Sequence, residues 1–416
     1  MQELAEIDKN NLYNFCKIIK NYTDTMTAEY HRLGDYIREV NVRNRELNVT
    51  NLLGLSMTKQ FRPSTSNIVG VDLSNYKIVD HNTFAFDPMS VIRVHKVPIA
   101  INETANPIIV SPAYYTFEIS DTSKLLPQYL MMWIMRPEFD RYADFKSDSA
   151  VRGGYDWKEL CDTPIFVPSI ERQREIVSEY ETLTRRIRLN NQMIEKLEVT
   201  AQALYRHTFV DNIDKQNLPQ GWHLATLGEV GEIVSGATPK TEIPDYWSDN
   251  NNEGIAWISP ADLSKQGTLY IARGNKSITN VGYNSCSTKM LPAGSILFSS
   301  RAPIGLMAIA ANELCTNQGF KSIVLEEDYM LEYLYTTLQN EKDIIAGEGS
   351  GSTFDEISAQ TFKKYTITLP SNKVMLVFHK QVEPIFHAIY LKQQENIKLT
   401  ELQSLLLAKM GNNKIN

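Results

Sequence analysis

Two long stretches of the chain repeat apolar residues at alternating steps of four and three. The first stripe is Ile176, Tyr180, Leu183, Ile187, Asn190, Ile194, Leu197, Ala201 and Leu204. About five heptads pass without Gly or Pro, which favours a coiled-coil seam over a surface helix packed on its own domain. The spacing predicts a helix from Glu171 to Thr208, with Ser169 as its N-cap. Asn190 is polar within the seam, and either fixes the register or meets water. A second helix is predicted from Val374 to Met410, with seam positions Phe378, Val382, Ile385, Ile389, Asn396, Leu399 and Leu406. Lys392 and Gln403 interrupt that seam, and Pro384 predicts an early kink or a late start.

These stripes belong to an internal repeat. Setting Pro168-Ser169 over Pro370-Ser371, an offset of 202, places Ile187 on Ile389, Leu189 on Leu391, Gln192 on Gln394 and Leu204 on Leu406 without a gap. The period is too long for a solenoid, so the chain is read as a duplicated half-protein. Each copy of the helix follows a strand-like run ending in proline, Ile165-Phe166-Val167-Pro168 and Tyr365-Thr366-Ile367-Thr368-Leu369-Pro370. Helices of ~37 residues span about 55 Å, and an antiparallel pairing would place two globules at opposite ends of a rod with approximate twofold symmetry.

The fold class expected is α/β (mixed α+β): two globules, two long antiparallel coiled-coil helices and a pseudo-twofold repeat. The second globule holds most of the glycines and short strand-like pieces at Gly254–Ile258, Ser295–Phe298 and Leu306–Ala310. A helix is predicted over Asp328–Ile345, and a flexible loop over 347–352. In the first globule Leu33-Gly34-Asp35 parallels Leu227-Gly228-Glu229, and Thr83–Phe86 parallels Ser295–Phe298. Residues 1–30 lie outside the repeat and read as helical around Asn11–Asn21.

Composition and charge narrow the chemistry. The chain has 416 residues, 43% hydrophobic and 22% charged, which fits two or three globular domains and excludes a disordered tail protein. No apolar run approaches the ~18 residues of a membrane helix, and Met1-Gln2-Glu3-Leu4 begins no secretion signal. Cys16, Cys161, Cys286 and Cys315 form neither a CxxC site nor a disulfide framework, so a reduced, cytoplasmic protein is expected. The net charge of −7 argues against simple coating of nucleic acid, though not against a local DNA-binding patch.

Catalytic patterns are missing. No Glu-x-Lys triplet occurs, which argues against a PD-(D/E)xK nuclease. Asp87-Pro88-Met89-Ser90 approaches but fails the motif of adenine methyltransferases. There is no G-x-x-x-x-G-K-[ST] loop, and the seven histidines lack zinc-ligand spacing. Metal is expected nowhere in the chain.

One ordered set of short motifs is distinctive. Leu218-Pro219-Gln220-Gly221-Trp222 leads to Leu227-Gly228-Glu229. Then come Ser235-Gly236-Ala237-Thr238-Pro239, Ile255-Ala256-Trp257-Ile258, Pro292-Ala293-Gly294-Ser295-Ile296-Leu297, Arg301-Ala302-Pro303-Ile304-Gly305 and Thr316-Asn317-Gln318-Gly319-Phe320. With the repeat plan, they resemble the specificity subunit of type I restriction-modification enzymes. The resemblance implies two target recognition domains, 31–168 and 218–370, each reading one half of a split, asymmetric site on double-stranded DNA. It implies helices 169–210 and 371–410 as a spacer ruler, whereas 1–30 is an N-terminal helical extension outside the resemblance. Two methyltransferase subunits would dock and supply S-adenosylmethionine, and two restriction subunits with ATP and Mg could join. This chain would carry no cofactor and no catalysis.

Arg and Lys favour guanine edges, and Asn and Gln favour adenine. On loops beside strands, the candidates for DNA contact are Thr238, Lys240, Arg301, Asn317 and Gln318 in the second globule, and Lys59, Gln60, Arg62 and Arg93 in the first. Solvated loop charge or turn-forming amides are the alternative role for each. At the level of the chain, a non-catalytic coiled-coil scaffold presenting two protein- or glycan-binding globules stays open, and a complete enzyme fits least.

Overall fold

The structure is a computed structural model that describes residues 30–64, 70–148, 154–211, 213–214, 216–248, 250, 253–327, 330–347 and 356–411. The expected helix in residues 1–30 and nearly all of the loop 347–352 lie outside the described residues. Two compact units form: residues up to Arg185 with those from Thr400 onward, and residues Arg186–Leu399. Among the described residues no helix is long and apolar enough to cross a membrane.

The first unit centres on a four-stranded antiparallel sheet in the order Ile37–Glu39, Tyr115–Ile119, Phe84–Phe86, Ile99–Ile101. Period-two alternation sends its two faces into different cores. Phe84, Phe86, Phe117 and Ile99 pack with Tyr129, Leu130 and Trp133 of the helix Pro127–Met135. Ala85 faces the other way, onto Val79, Ile108 and Val110 of a small second sheet. Phe84 and Phe117 stack at 4.8 Å and are fully buried. A short ladder, Tyr30–Arg32 against Pro164–Phe166, brings the entering strand beside the leaving one.

The second unit repeats this plan with different side chains. Its sheet runs Gly231–Ser235, Lys321–Leu325, Ile296–Phe298, Met307–Ala310, Tyr270–Ile271. Registers agree between the copies. Phe84 lies opposite Phe117 and Ile101, as Ile296 lies opposite Ile323 and Ile309. His223–Thr226 pairs with Thr366–Leu369 as Tyr30–Arg32 pairs with Pro164–Phe166. Asp156 caps the helix Trp157–Cys161, and Ser358 caps Ala359–Lys364. Beyond the shared sheet the second unit adds a three-stranded sheet, Lys276–Ile278, Ile255–Ile258 and Cys315–Thr316. The helix predicted from Asp328 starts instead at Leu331 and ends at Gly347.

The long helices run Ile170–Phe209 and Asn372–Lys409. Ser169 Oγ accepts the Arg172 N–H at 3.3 Å, completing an N-cap. Within the second unit Phe209 packs on Phe378 at 4.8 Å, while Asn190 donates to Asn396 at 2.9 Å, so the helices are antiparallel. Every seam position named from the sequence is buried or half-buried. Asn396 passes the bond on to Asn191 at 2.7 Å, and Gln403 reaches Thr184 Oγ1 at 2.7 Å. Asn190, Asn396 and Gln403 thus make cross-helix hydrogen bonds, Gln403 where the sequence showed an interruption, while Lys392 pairs with Glu395 of its own helix at 2.9 Å. Pro384 neither delays nor ends its helix, which begins at Asn372 and continues through it. Val382 and Phe386, 0% and 3% exposed, anchor the chain on both sides of the proline.

Candidate nucleic-acid interface

Three loops of the second unit meet beside the shared sheet. The loop after Gly231–Ser235 carries Thr238 and Lys240, and the turn after Cys315–Thr316 carries Asn317 and Gln318. Gly236 lets them touch. A Cβ there would come within 2.1 Å of the Thr316 carbonyl and 2.3 Å of the Asn317 carbonyl. The Ala237 N–H donates to the Thr316 carbonyl at 3.0 Å, and the Thr238 hydroxyl donates to the Gln318 side-chain carbonyl. The third loop follows Ile296–Phe298: Ser300 N–H bonds the Gly319 carbonyl at 2.8 Å, which sets Arg301 next to the same turn.

These five residues are not equally available. Lys240 and Gln318 are exposed, and Thr238 and Asn317 are half-buried. Asn317 Oδ1 accepts the Gly319 N–H at 2.8 Å, closing a side-chain turn and leaving the amide NH₂ as its donor. Arg301 Nε lies 3.0 Å from Glu356, which also faces the buried Lys321 at 3.6 Å. Burial pushes the Lys321 ammonium below its ordinary pKa, and Glu356 opposes that shift.

The first unit places its candidates differently. Leu53–Leu55 and Phe61–Pro63 form a hairpin bearing Lys59, Gln60 and Arg62. Gln60 and Arg62 are exposed, and Arg62 Nε donates to the Leu55 carbonyl at 3.2 Å. Lys59 points inward instead. It is 7% exposed, its Nζ is 2.6 Å from Asp140, and it lies 5.0 Å over the Phe139 ring. Burial lowers its pKa, against the pull of Asp140. Asp140 also accepts the Val97 N–H at 3.0 Å, tying hairpin and neighbouring loop to the helix Pro137–Asp148. Lys59 is a structural cation here, which the sequence could not reveal because its anion lies 81 residues away. Arg93 is exposed at the end of the short helix Val91–Val94, which His95 closes in a left-handed conformation at φ 55°.

Two Asp-x-Lys triplets fit the looser nuclease spacing that a Glu-x-Lys pattern leaves out. Asp144 of Asp144-Phe145-Lys146 bonds His95 at 2.8 Å, and Asp156 of Asp156-Trp157-Lys158 is a helix cap. Among the described residues no three His, Cys, Asp or Glu side chains gather as metal ligands would.

Residues 219–412 match the family model described as the type I restriction modification DNA specificity domain, which covers all three of these loops. A 160-residue stretch is 38% identical to the MjaIX type I restriction enzyme specificity subunit of Methanocaldococcus jannaschii, covering 38% of this chain and 36% of that one. The HindI specificity subunit of Haemophilus influenzae is 24% identical over 384 residues, covering 74% of this chain and 81% of that one. The second half of the chain thus matches the type I restriction modification DNA specificity domain, and the chain is similar to type I restriction enzyme specificity subunits. Its fold is similar to that of the solved S subunit from M. genitalium, with a TM-score of 0.51 at 12% identity over 93% of this chain and 96% of that one.

In the second unit, two tryptophans that were not among the candidates for DNA contact support the loop bearing Thr238. Trp257 Nε1 donates to the Ala237 carbonyl at 3.0 Å and Trp247 Nε1 to the Lys240 carbonyl at 3.2 Å. Lys276 Nζ lies 4.9 Å over the Trp247 ring. The available signal was Trp247 itself, a large apolar residue just after the turn-forming run Pro244-Asp245-Tyr246.

Proposed function

We propose that this chain is the DNA-reading subunit of a type I complex, with 31–168 and 218–370 each reading one half of a bipartite, asymmetric site. The convergence of Thr238, Lys240, Arg301, Asn317 and Gln318 on three touching loops carries this reading. An exposed amide and a guanidinium on one rigid platform are the donors and acceptors that distinguish adenine and guanine edges. In the first unit Gln60, Arg62 and Arg93 take that role, and Lys59 holds the hairpin that presents two of them.

The chain itself performs no chemistry in this reading. Two methyltransferase subunits dock along the long helices, bring S-adenosylmethionine and methylate adenine. ATP and Mg enter only where two restriction subunits join. A net charge of −7 fits a reader whose partners share the phosphate contacts. The complex acts in the cytoplasm, where the DNA is.

The test is co-expression with the neighbouring methyltransferase gene and base-resolution mapping of adenine methylation. The expected result is a two-part motif that disappears when this gene is deleted. Methylation that is unchanged by the deletion would refute the reading.

A further inference from the structure

In the second unit, the segment from Ala237 to Lys240 is suspended between two indoles. Trp257 sits in the strand Ile255–Ile258, is 7% exposed, and donates to the Ala237 carbonyl at 3.0 Å. Trp247 is half-buried and donates to the Lys240 carbonyl at 3.2 Å. Their rings meet edge to face, 5.1 Å apart at 89°. One packed aromatic pair therefore holds both ends of the segment that presents Thr238. One face of Trp247 is taken by the Lys276 ammonium, so that face is no platform for a stacked base. Indole nitrogen is a donor only, so each bond has one direction and one acceptor.

We propose that Trp247 and Trp257 are positioning residues for DNA specificity. They fix the height and angle of Thr238 and Lys240 above the Asn317–Gln318 turn without touching bases themselves. The proposal rests on the reading of this unit as a DNA reader. Phenylalanine at either position keeps an aromatic ring in the packing and removes the tie to the loop.

The test uses the full chain assembled with its methyltransferase subunits. Binding is measured to duplexes that carry the methylated motif, or one base-pair substitution in either half. Trp247→Phe should lower discrimination in one half about three- to tenfold, the worth of one net hydrogen bond, and leave the other half unchanged. Discrimination unchanged in both halves, or falling equally in both, would overturn the proposal. A wild-type complex with no two-part preference would instead sink the underlying reading. Hydrogen exchange in the wild-type complex serves if the variant fails to assemble. The amides of Ala237, Thr238 and Lys240 should gain protection with the matched duplex and not with one substituted in that half; equal protection with both refutes the idea.

Discussion

Gly34 and Gly228 occupy the same place in the two copies, yet a methyl group would meet different obstacles there. Each follows a leucine whose N–H bonds the strand-entry carbonyl, Leu33 to Thr163 and Leu227 to Tyr365, both at 2.9 Å. A Cβ on Gly34 would come 2.8 Å from Cys161 Cβ and 3.2 Å from its carbonyl, which cannot move without the backbone. The atoms nearest a Cβ on Gly228 belong to the Lys363 side chain, its Cγ at 2.3 Å, and they can give way by a rotamer change without moving backbone. Gly34→Ala should therefore cost roughly 1–3 kcal/mol and Gly228→Ala much less, as compared by thermal melting. Lys59 shows the same dependence on the distant neighbour. Its sequence context is a turn-borne cation, and only folding brings Asp140 to it. Asp140→Asn leaves that lysine buried without its anion, at an expected cost of about 3–5 kcal/mol by denaturant titration.

At the scale of elements, the helix Leu331–Gly347 is joined to the second long helix by Glu332, 4% exposed, whose carboxylate lies 2.8 Å from His379 Nδ1. Burial raises the Glu332 pKa above the ordinary carboxylate value, with His379 opposing. The folded state then holds this proton more tightly than the unfolded one. The resulting stability is fully present below about pH 4.5 and is lost as pH rises through the raised pKa. Glu332→Gln should flatten that part of the stability-versus-pH curve; identical curves for the two proteins would count against the assignment. The long helices were legible from sequence because their period is local and repeated. Their ends were less so: Tyr205, Phe209, Met375 and Phe386 are buried beside the seam because the helix packs there on a sheet-and-helix core as well as on its partner helix. Pro384 shows the limit of a propensity argument. The lost bond and ring clash cost about 3 kcal/mol, and deep burial on either side holds the helix regardless. Strand order was illegible, since pairing such as Phe84 with Phe117 depends on segments far apart in the chain.

For the whole molecule, the repeat visible in the helices extends through the sheets, where side chains differ but pairings agree. The sequence comparison caught the Leu-Gly-acid turn and the central strand, and missed the rest because ladder hydrogen bonds do not require particular side chains. The candidate site was legible as residue types in one unit. In the other, burial removes Lys59 from the exposed candidates. Replacing residues 218–370 with the corresponding segment of another specificity subunit should change one half of the methylation motif and leave the other intact, as read by methylation mapping. A change in both halves would mean the units do not read independently.

The agreement in register has a genetic consequence. A crossover between the two copies, at Gly231–Ser235 with Ile37–Glu39 or at Ile296–Phe298 with Phe84–Phe86, would join backbones whose ladder partners already correspond. In the second copy the stretch between those two strands, which carries both tryptophans and the loop they hold, is bounded on each side by such interchangeable backbone.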